Sequence, residues 1–241
     1  MSERINEMFS KIAKHYDMMN HRLSLGADIR WRRAAAKECM LDKSEIEVLD
    51  VATGTGDLAI AIGREAQRRR KRVMITGMDF NEDMLEIARD KVSECNLKDI
   101  NFKIADALVP TSKDNSYDII SCGFALRNFD SLPQFIEECS RVLRPGGRIV
   151  FVEVAKPDTF LSSFFRMYYF RIVPVMTAKY NKEAYNWLIS SLWKFDKERL
   201  KQLVEDSGFD NIKVKNLTFG AAFLLTATKS GKKVKPGKGK Q

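Results

Sequence analysis

The stretch Val48–Asp57 constrains the fold of this 241-residue chain more than any other. An apolar run, Val48 to Ala52, is typical of a buried parallel strand, and it leads through Gly54 and Gly56 into a segment with helical apolar spacing. Glycine lets the backbone turn sharply and approach a ligand closely, and the free N–H groups of the next helix then point at that ligand. The stretch therefore predicts the nucleotide-binding corner of a doubly wound α/β sheet.

Two acidic residues follow the next two predicted strands. Asp79 lies roughly twenty residues past the glycine turn, where α/β nucleotide folds place a carboxylate on ribose hydroxyls. Asn81 and Asp83 are better placed to cap the following helix, so we expect the Asp79 side chain to be free for a ligand. Asp106, followed by Ala107, comes after the third strand, where a side-chain acceptor could bind an exocyclic amine such as that of adenine.

Strands and helices alternate from residue 47 onward. This pattern predicts an α/β domain with a doubly wound, mostly parallel sheet of seven strands and helices on both faces. The last two strands are close enough to form a hairpin, so we expect an antiparallel closing strand. The turn Pro145–Gly147 is predicted to stop one helix and start the next strand. The predicted strands are 47–52, 73–79, 101–105, 117–123, 148–155, 211–217 and 221–228, and the predicted helices are 57–69, 83–96, 131–143 and 197–206.

Three segments lie outside this alternation. Residues 1–45 are predicted to form a helical cap on the single domain 1–228, with a break around 24–28. Residues 157–195 form a helical insertion whose aromatic part, 160–175, is either a lid over an apolar site or ordinary core. Residues 229–241 hold six lysines and no acid, which predicts a disordered basic tail.

Composition excludes several classes of protein. The four cysteines are widely spaced and form no cluster with the two histidines, so we predict no metal site, no disulfide framework and a cytoplasmic location. The sequence has no apolar run of about eighteen residues, so we predict no membrane-spanning helix. Its polar start predicts no signal peptide. The net charge of +9 comes mostly from the tail. The tail could contact anionic lipid or nucleic acid, or could only aid solubility.

Motifs over roughly residues 8 to 228 match a known family. They are Tyr16-Asp17-Met18-Met19-Asn20, Ser24, Gly26, Trp31-Arg32, Leu49 to Asp57, Phe124-Ala125-Leu126-Arg127-Asn128, Arg141-Val142-Leu143-Arg144-Pro145-Gly146-Gly147 and Asn216-Leu217-Thr218-Phe219-Gly220. The set resembles the ubiquinone/menaquinone biosynthesis C-methyltransferases, which are class I S-adenosylmethionine-dependent methyltransferases with a Rossmann-like fold. The glycine turn is shared with all class I enzymes, whereas the segments at 16–20 and 126–128 are more specific to the quinone subfamily.

The resemblance implies an enzyme that uses S-adenosylmethionine, releases S-adenosylhomocysteine and methylates a ring carbon of a prenylated quinol. Gly123 stands where the family commonly has serine, so only a backbone contact is expected there. Asp106 stands where the family often has asparagine, and either residue can accept a hydrogen bond from an amine. The implied cofactor residues are Gly54, Thr55 and Gly56 at the methionine end, Asp79 at the ribose, Asp106 and Ala107 at the adenine, and Gly123 after the fourth strand.

The same resemblance points to three candidate catalytic residues. Arg127 is always charged, so we predict that it stabilises charge on the quinol oxygen or positions water rather than acting as a base. Asn128 and Tyr16 are candidates for orienting the ring oxygens. His15 and His21 are weaker candidates for a general base, because the family pattern has no histidine at either place.

Other functions stay open at this level. The acceptor could be another small or lipid-like molecule, and the quinol could be a naphthoquinol or a benzoquinol. A non-catalytic RNA- or protein-binding module with a vestigial site is a second alternative, and an NAD enzyme is disfavoured because Ala59 occupies the third glycine position. As partners we expect the prenylated quinol and transient contact with a membrane surface, with no nucleic acid and with a homodimer as one possibility.

Overall fold

One seven-stranded sheet organises the molecule. The structure is a computed structural model that describes residues 3–109, 112–156, 162–174 and 182–231. The strand order is β3-β2-β1-β4-β5-β7-β6, and β1 to β5 pair in parallel. The strands are β1 Glu45–Val51, β2 Arg72–Asp79, β3 Ile100–Ile104, β4 Tyr117–Gly123, β5 Leu143–Val154, β6 Phe209–Leu217 and β7 Ala222–Lys229.

The predicted hairpin at the end of the chain is confirmed. Strand β7 runs antiparallel to both β5 and β6, and it lies between them in the sheet. A short 3-10 turn over Thr218–Gly220 joins β6 to β7. The predicted fold class, a mostly parallel seven-stranded sheet with an antiparallel closing strand, is therefore correct.

Helices cover both faces of the sheet, which explains why its central strands are apolar on successive residues. Val48 packs into one apolar layer with α2 and α3, whereas its neighbour Leu49 packs into the other with α5 and α8. The helices are α1 Glu3–Leu23, α2 Ala27–Glu38, α3 Asp57–Arg69, α4 Glu82–Glu94, α5 Leu132–Val142, α6 Ser162–Met167, α7 Lys182–Lys194 and α8 Lys197–Asp206.

The start of β5 differs from the sequence prediction. The chain leaves α5 at Val142 and pairs at once, with Leu143 opposite Tyr117, whereas regular pairing resumes only at Arg148 opposite Ile119. The intervening residues bulge out of the sheet, and Gly146 takes a left-handed conformation with φ 77°. The Pro-Gly-Gly turn thus lies within the strand instead of preceding it.

The N-terminal helices break where the sequence predicts. Helix α1 lies at the carboxyl edge of the sheet, whereas α2 packs on one of its faces. Helix α1 ends at Leu23, and Gly26 turns the chain into α2 with φ 74°. The side chain of Asn81 connects α1 to the sheet: its Oδ1 caps α4 by accepting from the Met84 amide, and its Nδ2 donates to Ser10 Oγ at 2.9 Å. Asn81 is therefore the predicted cap and also an anchor for α1.

The aromatic insertion is partly core and partly surface. Helix α6 continues into a π-helical turn, Tyr168–Ile172, in which Tyr169 is buried while Phe170 is exposed. Residues 157–161 and 175–181 of the predicted insertion, and most of the predicted basic tail, lie outside the described residues, whereas the second part of the insertion forms α7. No helix in the described part of the chain is long and apolar enough to cross a membrane.

Candidate active site

A cavity opens at the carboxyl edge of the sheet, where the sequence predicts the nucleotide site. We call it the sheet-edge cavity. The ends of β1, β2 and β4 and one side of α1 enclose it. Its lining residues are Phe9, Tyr16, Ala52, Gly54, Asp79, Phe80, Asn81, Met84, Gly123, Phe124, Ala125 and Asn128.

Asp79 is the acidic side chain of this cavity. The sequence predicts a free carboxylate, but in the structure both of its oxygens already accept hydrogen bonds. Its Oδ2 accepts from the Gly54 amide at 2.8 Å and its Oδ1 from the Asn81 amide at 3.0 Å. Burial raises the pKa of Asp79, and the backbone hydrogen bonds from Asn81, Gly54 and Phe80 oppose that rise. These bonds fix the orientation of the carboxylate, and each oxygen keeps acceptor capacity for a ligand hydroxyl.

The two glycines of the turn have different environments. A Cβ on Gly54 would meet no atom within 4 Å, so its α-carbon faces open space in the cavity. A Cβ on Gly56 would lie 3.0 Å from Ala88 Cβ and 3.2 Å from Phe102 Cζ, so Gly56 allows α3 to pack closely against its neighbours. The amides of the glycine turn are less available to a ligand than the sequence predicts. Gly54 N–H donates to Asp79, and Gly56 N–H donates to the Thr53 carbonyl.

Alanine at each glycine should therefore have a different effect. Gly56→Ala combines a left-handed φ of 80° with a steric clash, so we expect a loss of about 1–3 kcal/mol in the free energy of unfolding. Gly54→Ala carries only the backbone strain of about 1 kcal/mol, but its methyl group enters the cavity and should weaken ligand binding more. Urea unfolding and calorimetry on both variants test this, and equal losses of stability would contradict it.

Thr55 belongs to a polar cluster that ties α1 to the glycine turn. Its Oγ1 donates to Asp17 Oδ1 at 2.6 Å, and Lys91 Nζ lies 2.7 Å from Asp17 Oδ2. Lys91 also pairs with Asp57, the first residue of α3. Thr55 is buried and does not line the sheet-edge cavity, so the structure connects it to the placement of α1.

Of the remaining predicted cofactor residues, one lines the cavity and two do not. Gly123 lies on its wall at the end of β4. Asp106 follows the edge strand β3, and its Oδ1 accepts from the Leu108 amide at 2.9 Å within its own turn. Ala107 lines a small separate cavity beside Met78. Their assignment to the adenine stays a prediction.

A second, larger cavity adjoins the first and is mainly apolar. We call it the acceptor cavity. Tyr16 and Phe124 line both cavities, so these two aromatic side chains form the wall between them. Phe124, which follows β4, has a φ of 61°, and Ala52, which follows β1, has a φ of 50°. Left-handed non-glycine residues are strained, and their position here fits a functional site. Half of the lining residues of the acceptor cavity lie between Tyr16 and Arg32.

Arg127 lines the acceptor cavity and is held by a buried carboxylate that sequence reasoning missed. Its Nη1 donates to Glu153 Oε1 and, at 3.0 Å, to the Phe124 carbonyl. The side chain of Arg127 is 11% exposed and that of Glu153 is 0% exposed. Burial raises the pKa of Glu153 above its usual value, and the Arg127 charge offsets only part of that rise. Arg127 Nε and Glu153 Oε2 have no hydrogen-bond partner among the described residues.

The sequence did carry a signal for Glu153. It is the only acid in the apolar run Ile149–Val154, and it lies near the carboxyl end of a central strand. That is the position at which open α/β sheets place ligand-binding side chains.

Tyr16 lines both cavities, whereas Asn128 lines only one of them. Burial raises the pKa of Tyr16 above its usual value, while the Arg127 charge and a hydrogen bond with Asn20 act against that rise. Tyr16 is thus a neutral phenol at pH 7. Asn128 lines only the sheet-edge cavity, and its Oδ1 accepts from Trp187 Nε1 of α7 at 2.9 Å. Neither predicted histidine, His15 or His21, lines either cavity.

A second cation, Arg32, faces the acceptor cavity from α2. It pairs with Asp28, and its guanidinium lies 4.9 Å from the centre of the Phe124 ring. Burial raises the pKa of Asp28, but hydrogen bonds from Ser24 and Arg32 outweigh burial and hold that pKa below its usual range. His21 Nδ1 lies 2.6 Å from the same carboxylate. This network fixes the turn between α1 and α2 beside the cavity.

Comparison with known proteins identifies the family. The model of the ubiE/COQ5 methyltransferase family matches residues 1–229. The chain belongs to the ubiE/COQ5 methyltransferase family. Among its relatives, the demethylmenaquinone methyltransferase of Deinococcus radiodurans is 42% identical over 94% of this chain and 93% of that protein. The ubiquinone/menaquinone biosynthesis C-methyltransferase UbiE of Geobacter sulfurreducens is 38% identical over 94% of this chain and 89% of that protein.

Solved structures share the fold at low sequence identity. A putative S-adenosylmethionine-dependent methyltransferase from Methanococcus maripaludis matches with a TM-score of 0.65 and 18% identity over 93% of this chain and 95% of that one. The cyclase SpnF matches with a TM-score of 0.67 and 18% identity over 95% and 96% of the two chains. Because one of these proteins is a cyclase, the fold alone does not decide the reaction.

Membership in the ubiE/COQ5 family confirms the family that the sequence motifs indicate. It also confirms the prediction of a class I, S-adenosylmethionine-dependent methyltransferase that acts in quinone biosynthesis. The non-catalytic module considered from sequence is therefore wrong as the main function of this chain.

Proposed function

We propose that this enzyme methylates a ring carbon of a prenylated quinol, converting demethylmenaquinol to menaquinol or carrying out the related benzoquinol step. The names of its relatives support this acceptor. The observation that carries the proposal is the pair of adjoining cavities, one at the nucleotide edge of the sheet and one large and apolar, with a buried arginine at the second.

The sheet-edge cavity has the features that S-adenosylmethionine needs. The cofactor supplies an electrophilic methyl group on a sulfonium. Asp79 offers fixed carboxylate oxygens for ribose hydroxyls, Gly54 leaves open space for close approach, and Phe9 and Met84 supply apolar walls. Thr55 and Gly56 would support the turn at the methionine end.

The acceptor cavity suits a ring that carries an apolar chain. Its walls are mainly aromatic and aliphatic, contributed by residues such as Trp31, Phe165 and Tyr168. Arg127 Nε is a buried donor without a partner among the described residues, and an acceptor oxygen bound beside it would satisfy that donor. A guanidinium next to a ring hydroxyl lowers the pKa of that hydroxyl and so increases electron density on the ring carbon.

The other polar residues have supporting roles. Tyr16, neutral and located at the wall between the cavities, orients a ring oxygen by hydrogen bonding. Asn128 acts from the cofactor side, where Trp187 holds its amide. Helix α7 contacts the site through this bond, and the lid at 157–195 and the N-terminal cap at 1–45 stay predictions. Water exclusion by these apolar walls favours methyl transfer.

Lipid-soluble acceptors suggest where the enzyme works. We infer a cytoplasmic enzyme that contacts the membrane surface peripherally without spanning it. A homodimer stays a prediction.

The test of the function is the quinone content of a bacterial host that lacks its own quinone C-methyltransferase. Expression of this chain should convert the demethylated quinone to the methylated form. Mass spectrometry of extracted lipids should show the mass increase of one CH2 unit that results when a methyl group replaces a ring hydrogen. A host supplied with both naphthoquinone and benzoquinone precursors distinguishes the two rings. Unmethylated quinones in the presence of folded, cofactor-binding protein would overturn the proposal.

The cofactor assignment is tested at Asp79. We expect Asp79→Ala to weaken S-adenosylmethionine binding by about ten- to a hundredfold, because hydrogen bonds to a charged acceptor contribute roughly 1.5–3 kcal/mol. Asp79→Asn, which keeps one acceptor for the buried amides, should lose less. Calorimetry measures both, and Asp83→Ala, an exposed acid in the first turn of α4, is the matched control. Unchanged affinity in Asp79→Ala would remove Asp79 from the cofactor site.

A further inference from the structure

Two loop tips beside the acceptor cavity expose large apolar side chains. Leu25, between α1 and α2, is 77% exposed, and Phe219, between β6 and β7, is 71% exposed. Both residues have left-handed backbones, with φ of 52° and 55°. Strained, exposed apolar residues at two separate tips indicate a function for these side chains at the surface.

Hydrogen bonds join the segments that carry these tips. Trp31 Nε1 of α2 donates to Thr218 Oγ1 at 2.8 Å, and the Tyr168 hydroxyl donates to the Leu23 carbonyl at 3.0 Å. Leu25, Tyr168 and Thr218 also line the acceptor cavity together. The α1–α2 turn, α6 with its π-helical turn, and the β6–β7 turn therefore meet around one opening. We call five of their exposed apolar residues the mouth surface: Leu25, Ile29, Met167, Phe170 and Phe219.

Positive charge surrounds the mouth surface. The segments 20–33, 162–174 and 217–221 carry six arginines and a single acid, Asp28, which is buried and paired with Arg32. These segments thus carry a net charge of +5, whereas residues 1–228 as a whole carry +3, since six of the nine excess charges are lysines of 229–241. The rest of residues 1–228 is net negative by two charges. An apolar surface with basic surroundings is complementary to an anionic lipid bilayer.

We propose that the mouth surface inserts into the anionic surface of a lipid bilayer and holds the acceptor cavity open toward the membrane. A prenylated acceptor then moves from the bilayer into the cavity without its chain crossing water. The proposal rests on the proposed function only for the identity of the acceptor. Docking itself depends on Leu25 and Phe219 and on the exposed arginines near them, Arg22, Arg30 and Arg166.

Co-sedimentation of the full chain with vesicles tests the proposal. The wild type should bind vesicles that contain a third anionic lipid much more tightly than purely zwitterionic vesicles. The double variant Leu25→Ser/Phe219→Ser should lower partitioning onto the anionic vesicles by at least about tenfold, because two large apolar side chains are lost from the contact. Ile104→Ser removes an apolar side chain, 59% exposed, from the opposite edge of the sheet, and it should bind as the wild type does.

Further arms separate the possible explanations. Removal of residues 232–241 should reduce vesicle binding less than the double variant does. Calorimetry should show that the double variant binds the cofactor as tightly as the wild type. Equal partitioning of the wild type and the double variant would overturn the proposal. So would an absence of vesicle binding together with a dimer that Phe219→Ser dissociates, because a second copy would then cover the mouth surface. Normal docking with unmethylated quinones would contradict the proposed function and leave the docking surface intact.

Discussion

Replacing Arg127 by alanine should lower turnover by about 10²–10³ and change cofactor affinity far less, because it removes a preorganised donor next to the reacting ring. Arg127→Lys keeps the charge but loses the planar fork that pairs with Glu153, so it should also be impaired. Raising the pH should partly rescue the alanine variant, since hydroxide in solution can then generate the phenolate. Steady-state kinetics from pH 6 to 10 measure both effects.

Two controls separate catalysis from folding in this experiment. Arg72→Ala breaks an exposed pair with Glu45 and should leave turnover unchanged, because such surface pairs contribute little. Arg127→Ala/Glu153→Gln removes the buried carboxylate that the single variant leaves without its partner, and should restore lost stability without restoring turnover. Near-normal turnover in Arg127→Ala would reduce Arg127 to a structural role and direct attention to Tyr16 and Asn128.

Asp50→Asn should make the protein more stable at neutral pH. Asp50 is buried below the glycine turn and accepts from Thr53 Oγ1 and Ser121 Oγ, each at 2.6 Å. Burial raises its pKa to about 6, although these two hydrogen bonds act against the rise. The folded state therefore holds this proton more tightly than the unfolded state does, and stability falls as the pH rises from about 4 to 6. The loss is on the order of 3 kcal/mol, and a neutral asparagine avoids it.

Urea unfolding of both proteins at pH 4.5 and pH 8 checks the sign. The free energy of unfolding of Asp50→Asn should exceed that of the wild type at pH 8, and the difference should shrink at pH 4.5. Asp118→Asn is the matched control with the opposite sign. Burial raises the pKa of Asp118, but hydrogen bonds from the Glu47 amide, Lys43 and Arg144 outweigh it and lower that pKa. Its loss should destabilise the protein at neutral pH, and an equal gain in both variants would contradict the argument.

Local patterns predicted the strands, the glycine turn and the helix at the carboxyl edge of the sheet, whereas the assignment of its residues to the cofactor stays a prediction. The strand, glycine turn and helix at 48–69 form a continuous segment, and Asp79 follows the neighbouring strand at the same edge. Since parallel strands end at one edge, their order along the chain is enough to bring these residues together. Asp106 shows the limit of that reasoning, because its carboxylate bonds within its own turn after the edge strand.

The acceptor side depends on contacts that sequence spacing does not reveal. Trp31 meets Thr218 across 187 residues, and Tyr168 meets Leu23 across 145. Glu153 stands out in the sequence as the single acid of an apolar strand, but only the structure shows that it pairs with Arg127. The bulge after Leu143 similarly depends on pairing with Tyr117, so the local turn signal at Pro145–Gly147 predicts the wrong strand boundary.

The two cavities are built largely by different parts of the chain, so one can change in evolution while the other is kept. Ends of the parallel strands provide most of the cofactor side, whereas half of the acceptor side comes from the two N-terminal helices and the turn between them. Substitutions in α2 and in the turn before it can change the acceptor cavity without touching the glycine turn or Asp79, whereas α1 is tied to the glycine turn through Asp17. Tyr16 and Phe124, which belong to both cavities, are the positions where such changes are most constrained, because any replacement there must serve two ligands at once.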